Sequence, residues 1–416
     1  MKRFIFDLQY FADANVQTTT DNTNGNDLSP AMKEYYDTEL LENANEELFF
    51  NQFGKVQTIP EGNGKRVSFR KFDTFGKSLK PLEEGVTPDG NTMNMISVEA
   101  EIEQYGDYTT VSDMLDLTAV DDIILSCTEE HGAQAGLTLD TLTRNELCKG
   151  TNVSFAPTIS GTTETEVDVR YNLDSSAKLT PTVVNKAVTK LKKNKTPKID
   201  GKYICIIHPS VSEDLRESQG WIEAHKYGAV TELFNGEIGE LHGVRFIESN
   251  EAPIFCGADL APDSRNLAVN NANGISASKT VAFDGGTVEA DALVGRYVLI
   301  GTTKTKITAN TDTQLTVEDS ITCNDNTVIY PGEGGKEGCA VYGCIIFGKD
   351  AYGRIELSGG ALEMIVKAKG SAGTADPLNQ RSTVGWKASH AAVILYEERL
   401  LRVECGSSYS GTDTAN

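Results

Sequence analysis

The chain has 416 residues, of which 39% are hydrophobic and 24% charged, and a formal net charge of -22; this excludes a wholly disordered chain, and the length calls for two or three packed units. No apolar run approaches the roughly 20 residues of a membrane-spanning helix, Asp7 and Gln9 interrupt the only N-terminal stretch resembling a secretion signal, and so acidic a surface does not wrap nucleic acid by neutralising phosphates. The eight cysteines form no C-x-x-C pair, so they are expected as reduced, mostly buried thiols of a cytoplasmic protein.

Residues 1–28 are expected to form a flexible arm, because the stretch 12–28 is rich in Asn and Thr and has almost no large apolar group to bury. Within 29–63, Ser29 and Pro30 supply a cap and a first-turn proline, and Met32, Tyr36, Leu40, Ala44 and Leu48 recur every four residues; an amphipathic helix is predicted, ending near Gly54. Alternating runs at 67–70 and 96–102 predict two strands of a ribbon spanning 64–111. Between them lies a long excursion rich in Gly, Pro and charge, and a two-stranded ribbon of this kind needs a surface to lie upon.

In the region 112–178, the three- and four-residue spacing of Val120, Ile123, Ile124, Cys127, Ala135, Leu139, Leu142 and Leu147 predicts one helix from Thr118 to about Lys149. At 1.5 Å per residue it would run about 45 Å, a spine joining two regions. Thr180 and Pro181 then open a second helix ending in Lys192, Lys193 and Lys195; the apolar run 203–207 predicts a buried strand, and after His208-Pro209 a helix starts from Ser210 or Ser212. These make an α/β unit over 179–260. Residues 261–340 lose helical periodicity and read as an all-β insertion, after which 341–405 resume the α/β unit with buried strands at 344–347 and 391–396 and a closing hairpin through Leu400, Leu401 and Val403. Residues 406–416 are expected as a flexible tail, and there is no internal repeat of 20–50 residues.

Little in the sequence points to chemistry. His208, Ser210, Ser212 and Asp214 lie close together, but G-x-S-x-G is absent and Ser or Asp at a helix start is ordinarily a cap. The five histidines include no H-E-x-x-H. The glycine-rich stretch 331–338 lacks the Gly and the Ser or Thr that a phosphate loop places around its G-K, with Tyr330 and Glu337 standing there instead. Cys339 and Cys344 read as strand-facing thiols, Asp121-Asp122 and Glu129-Glu130 as a solvated helix face, and Trp221 and Trp386 as packing residues. No catalytic, cofactor or metal site is expected.

The run from Gly106 to Thr118 (GDYTTVSDMLDLT), the LDTLTR segment Leu139–Arg144, Lys65–Phe72, Pro81–Gly90, His208-Pro209, Gly236–Phe246 and Asp376–Arg381 together resemble the major capsid proteins of tailed bacteriophages related to the coat of the podovirus N-four. The opening Phe6–Ala12 also resembles the start of coat proteins from phages of Gram-positive hosts. The first resemblance implies an α+β fold of the Hong Kong 97 type. In it 1–28 is the N-terminal arm, 64–111 an extended loop lying over an adjacent subunit, 112–178 a peripheral domain carrying the spine helix, and 179–260 with 341–405 an axial domain and returning peripheral strands. The β-rich block 261–340 falls outside the shared pattern.

The function implied is self-assembly into pentamers and hexamers of an icosahedral head shell that encloses double-stranded DNA without gripping it. Implied partners are further copies of the chain, with portal, scaffold or auxiliary head proteins, and no membrane; assembly takes place in the host cytoplasm and the product is the virion. Phe69, Lys71, Lys77, Lys80 and Glu84 in the loop region and Arg144 on the spine are the expected inter-subunit contacts. Three readings compete: an encapsulin-like compartment shell, a carbohydrate-binding surface protein acting through 261–340, and a hydrolase built on His208 and its serines.

Overall fold

The computed structural model describes residues 48–60, 64–72, 92–118, 123–161, 163–225, 237–357, 362–371 and 376–416, with 75, 77–79, 81, 84, 85, 87 and 90 between the first strands. The arm expected over 1–28 and most of the helix expected after it lie outside the described residues.

A seven-stranded mixed sheet forms the first layer, in the spatial order 153–155, 400–405, 341–347, 203–207, 244–248 and 237–241, with 254–255 pairing on 341–347. Tyr203–Ile207 lies parallel to Val244–Glu248 and antiparallel to Val341–Phe347. Its continuous apolar run follows from a sheet covered on both faces. Tyr203, Cys205 and Ile207 enter one core with the helix Pro181–Lys193, while Ile204 and Ile206 enter another with Phe50, Leu147 and Tyr352. The helix forms where its caps place it: Thr180 Oγ1 accepts from the Val183 amide, Pro181 opens the first turn, and Lys190, Lys192 and Lys193 sit at the negative end. The following helix, Pro209–Glu217, starts earlier than expected because His208, not a serine, is its cap.

The second sheet is organised by one strand, Arg381–Ile394, which pairs along its length with Glu103–Ser112, Glu363–Lys367 and Tyr352–Leu357. Lys55–Ile59 adds in parallel to Tyr352–Leu357. Alternate residues Val384, Trp386 and Ala388 face the helix Ile123–Cys148 and pack on Ala135 and Leu139, and the Trp386 indole N–H donates to Gln134 Oε1 at 3.0 Å. That helix has 26 residues, about 39 Å of axis. It is described from Ile123 onward; Thr118, expected at its start, ends a separate short helix, Asp113–Thr118, and residues 119–122 lie outside the described residues.

Residues 267–331 close into a six-stranded barrel in the order 267–269, 275–284, 314–323, 303–310, 297–300 and 328–331. Its interior is a separate apolar core that includes Val269, Val281, Phe283, Val298, Ile307, Leu315, Val317 and Ile329. Closure gives every strand two partners and leaves no edge to cover.

Two expectations need correction. The strands ending at Ile394 and beginning at Leu400 are not a hairpin: the first belongs to the second sheet, whereas Leu400–Cys405 crosses to the first and pairs with Val341–Phe347 and Val153–Phe155. All six residues of Leu400–Cys405 are buried, Leu401, Val403 and Cys405 on one face and Leu400 with the paired Arg402 and Glu404 on the other, which requires a central position that a terminal hairpin does not offer. Residues 406–416 are not loose either. The Gly406 amide donates to Ala177 O, Ser407 and Ser408 bond Ser210 O and the Asp214 carboxylate, Asp413 accepts from Tyr342 Oη at 2.6 Å, and the Asn416 amide reaches Asn250 O and Ala252 O. Short polar side chains in this segment satisfy groups of the first sheet, a role composition alone does not reveal.

Gly353 belongs to the base of the structure for a steric reason. A Cβ there would lie 2.7 Å from the Phe69 ring, so only glycine admits the aromatic against this strand. Phe69 is almost fully buried with Ile355, Ile59 and Leu395. Phe69→Ala is expected to cost about 3 kcal/mol locally, read as faster hydrogen exchange across Arg66–Phe72 with unchanged exchange in the barrel; equal slowing or no change at both places would contradict the packing.

Candidate assembly surface

Arg66–Phe72 and Met95–Glu101 pair in antiparallel register, with Val67 opposite Ala100 and Phe69 opposite Val98. Among the described residues these two strands pair only with each other, as a two-stranded sheet. Near the base their inner face is covered by Ile355 and Leu357. Toward the tip that cover stops, and Phe72, Phe75, Leu79, Met93, Met95 and Ile96 are all exposed, Leu79 to 83%. A cluster of large apolar side chains on an unsupported ribbon is costly in water and marks a surface that another surface covers.

Two further faces are open. Along the helix Ile123–Cys148, Ala133, Leu137 and Leu142 with Thr138 and Thr141 line a shallow groove. On the side of the second sheet that faces away from this helix, Gly106, Tyr108, Gly385, Ile365, Lys367 and Lys387 shape a concavity of about 540 Å³. Gly385 makes this face shallow, since a Cβ there would come within 2.6 Å of the Tyr108 side chain. Tyr108 is 71% exposed. At the edge of this region Asp107 is held by Gln134 Nε2 at 2.8 Å and by the Tyr108 amide, which keep its carboxyl below the usual carboxylate range.

The sequence-predicted contact residues divide by position. Lys77 and Glu84 are exposed between the two hairpin strands, and Lys80 lies outside the described residues. Lys71 turns back over the Tyr396 ring, its Nζ 4.6 Å from the centroid. Phe69 and Arg144 are inside the chain's own packing. The Arg144 guanidinium is nearly fully buried; it donates to Glu251 O at 3.0 Å, to Glu251 Oε2 at 3.2 Å and to Asn416 O at 2.8 Å. The exposed apolar residues at the tip are absent from the sequence-predicted set. Their signal was present, as Phe75, Leu79, Met93 and Met95 inside a Gly- and Pro-rich excursion where a solvated loop would carry none.

The serine–histidine cluster proves to be a tie between elements. Ser210 Oγ donates to Asp413 Oδ2 at 3.3 Å, His208 Nδ1 accepts from the Ser210 amide, and Ser212 Oγ donates to Glu248 Oε2 at 2.8 Å. His208 Nδ1 also lies 3.1 Å from Ser210 Oγ, but the Asp413 carboxylate bonds that same serine and not the ring, so it does not orient the imidazole as a nucleophile–base–acid relay needs. Burial pushes the His208 pKa down. For Asp413 burial pushes upward, but hydrogen bonds from Ser410, Tyr342 and Ser210 outweigh it and leave the carboxyl below its usual range. Cys344 and Cys405 place their sulfurs 3.7 Å apart in the first sheet, as thiols.

An open apolar hairpin beside a long helix and two sheets is the geometry of a subunit that finishes its surface with neighbours, and the sequence carries the matching signature: residues 96–401 match the family model described as phage capsid protein. The chain belongs to the phage capsid protein family. Solved capsids share its fold. The capsid of Ralstonia phage GP4 is 13% identical with a TM-score of 0.54, over 89% of this chain and 93% of that one. The capsid of Cyanophage P-SCSP1u is 15% identical with a TM-score of 0.51, over 87% and 89%. The capsid of Cyanophage Pam1 is 10% identical with a TM-score of 0.50, over 86% and 89%. No curated protein matches the sequence. As a phage capsid protein this chain is a structural component of the virion, the major subunit from which the head shell is made.

Arg144→Met leaves the Glu251 carboxylate without its cation and the carbonyls of Glu251 and Asn416 without a donor. It is expected to lower the unfolding free energy by about 2–3 kcal/mol and to expose residues 406–416 to limited proteolysis. An unchanged denaturation midpoint with an intact C-terminal segment would show that the buried guanidinium does not hold this segment.

Proposed function

We propose that the capsid protein tiles an icosahedral head as pentamers and hexamers in the Hong Kong 97 manner, with the hairpin of each subunit lying over its neighbour. The observation that carries this reading is the set of six exposed apolar residues between Phe72 and Ile96, at the outer end of a ribbon whose strands pair with no other strand among the described residues. Closed shells repeat one contact many times, so a modest apolar patch on each subunit suffices when every copy both gives and receives it.

In this reading the extended loop expected over 64–111 is the hairpin from Arg66 to Glu101, since Glu103–Ser112 is instead a strand of the second sheet; Lys77 and Glu84 form a charged rim around its apolar tip, with Lys80 a further candidate contact. Ile123–Cys148 is the spine of a peripheral domain, and the sheet built on 203–207 with its helices is the axial domain. The barrel is an insertion domain of the shared fold that decorates the outer surface, supported by its separate core and by strands bonded only among themselves. Kinship with the podovirus N-four coat rests on the sequence motifs from Gly106 to Thr118 and around His208-Pro209. Assembly in the host cytoplasm, joined by portal, scaffold or auxiliary head proteins, encloses double-stranded DNA, which a net charge of -22 does not bind. The protein works by shape and has no catalytic activity.

Phe75→Asp and Leu79→Asp separate folding from assembly. Both side chains are exposed, so the isolated subunit is expected to keep its unfolding free energy within about 0.5 kcal/mol. Shell formation followed by sedimentation is expected to fail, because each contact would then bury an unpaired carboxylate. Shells formed at wild-type yield by both variants would remove the hairpin tip from the contact.

A further inference from the structure

The second sheet and the long helix enclose a polar knot that shell formation by the hairpin does not use. Asp140, on the buried face of the helix Ile123–Cys148, has no exposed surface. Its Oδ1 accepts from the backbone amides of Phe50 at 2.7 Å and Asn51 at 3.0 Å. Tyr352 Oη donates to the Phe50 carbonyl from the opposite side. The segment leading into the turn Asn51–Phe53, immediately before the strand Lys55–Ile59, is thus fixed to the helix by one carboxyl group and to the sheet by one phenol. The second oxygen, Oδ2, is buried without a hydrogen-bond partner.

A buried carboxylate with one oxygen unpaired is poorly solvated, whereas the neutral acid keeps the Oδ1 bonds and sheds the charge. Among the described residues, the charged and titratable groups facing this pocket are few. Arg144 lies on the same helix one turn on, and its guanidinium is committed to Glu251 and Asn416. Tyr352 and Arg354 come from the neighbouring strand, and Arg354 Nε is itself buried without a partner. His390 comes from Arg381–Ile394, its Nε2 3.0 Å from Thr143 Oγ1, which in turn reaches Asn51 Oδ1.

We propose that Asp140 is a proton-operated tether: neutral, it holds residues 49–51 against the long helix, and on ionisation it lets that segment lift away. The direction follows from linkage. Burial, only partly offset by the backbone amides and Arg144, raises the Asp140 pKa to about 7. A carboxyl whose pKa is raised in the docked state adds stability that is fully present below the ordinary carboxylate range and is lost as pH rises through about 7. His390 titrates the other way, burial holding it down to about 4, and so is neutral throughout the range in which Asp140 ionises. Tyr352 is pushed far above its usual range by burial and stays neutral too.

Hydrogen exchange of the full-length subunit at pH 5.5, 7.0 and 8.5, corrected for the intrinsic exchange rate, tests this at the peptide covering Leu48–Phe53. Opening is expected to increase about 30-fold by pH 8.5, while the peptide covering Tyr203–Ile207 stays flat. Asp140→Asn keeps an acceptor oxygen for both amides and carries no charge, so its exchange should not vary with pH. Should that variant fail to fold, Arg144→Gln removes the opposing cation and is expected to move the wild-type transition to higher pH. Corrected exchange that is flat in the wild type, or that rises equally in Asp140→Asn, or a transition that Arg144→Gln leaves in place, overturns the assignment.

Discussion

The contact between the strand Arg381–Ile394 and the helix Ile123–Cys148 is the constraint on which the rest of the second layer depends. Fourteen residues of strand carry three partners, and a strand of that length stays straight only if one whole face is held. Val384, Trp386 and Ala388 on the helix face supply this, with Gln134 taking the indole N–H so that no buried donor is left open. Everything that reaches outward is fixed to this pair. The hairpin base sits on Tyr352–Leu357, which is paired to the long strand, and the entry segment at Phe50 is fixed by a side chain of the long helix.

The first layer solves a different problem. Its strands come from 153–255 and from 341–405, and the barrel is inserted between these two stretches. A closed barrel with its own core can occupy such a connection without disturbing the sheet, because it demands no hydrogen bonds from it. Within the first layer itself, side chains tie the connecting segments to the strands. Arg170 forms a two-point pair with the buried Glu404, 2.7 and 2.6 Å, and stacks over Phe255, and Arg402 Nε donates to the same carboxylate at 2.8 Å. Glu404 is the one carboxylate between these two guanidinium groups, so its removal would leave both without their counter-charge.

Much of this was legible in the sequence where one physical signal dominated. Thr180-Pro181 marked its helix because cap, first-turn proline and terminal lysines all agree, and Tyr203–Ile207 read as buried because five apolar residues in a row fit only a sheet covered twice. The hairpin strands appeared as alternation, and the barrel as loss of helical period. What stayed hidden depended on distant partners. Leu400–Cys405 looks like the return arm of a hairpin until Val341–Phe347 is seen beside it. Arg144 reads as an outward contact until Glu251 and Asn416 enclose it, and the serines after Gly406 read as loose chain until Asp214 and Ser210 claim them. The exposed tip residues were the opposite case: their function shows only because no such partner exists for them among the described residues.

Among the described residues nothing covers the apolar end of the ribbon, and the account stands on copies of the chain completing one another. Electron microscopy of the purified protein, expressed alone and with its neighbouring genes and checked by sedimentation, is the most direct measurement. The account predicts closed shells or rings of capsomers, with the hairpin of one subunit resolved across the next. A compact monomer under both conditions would contradict it.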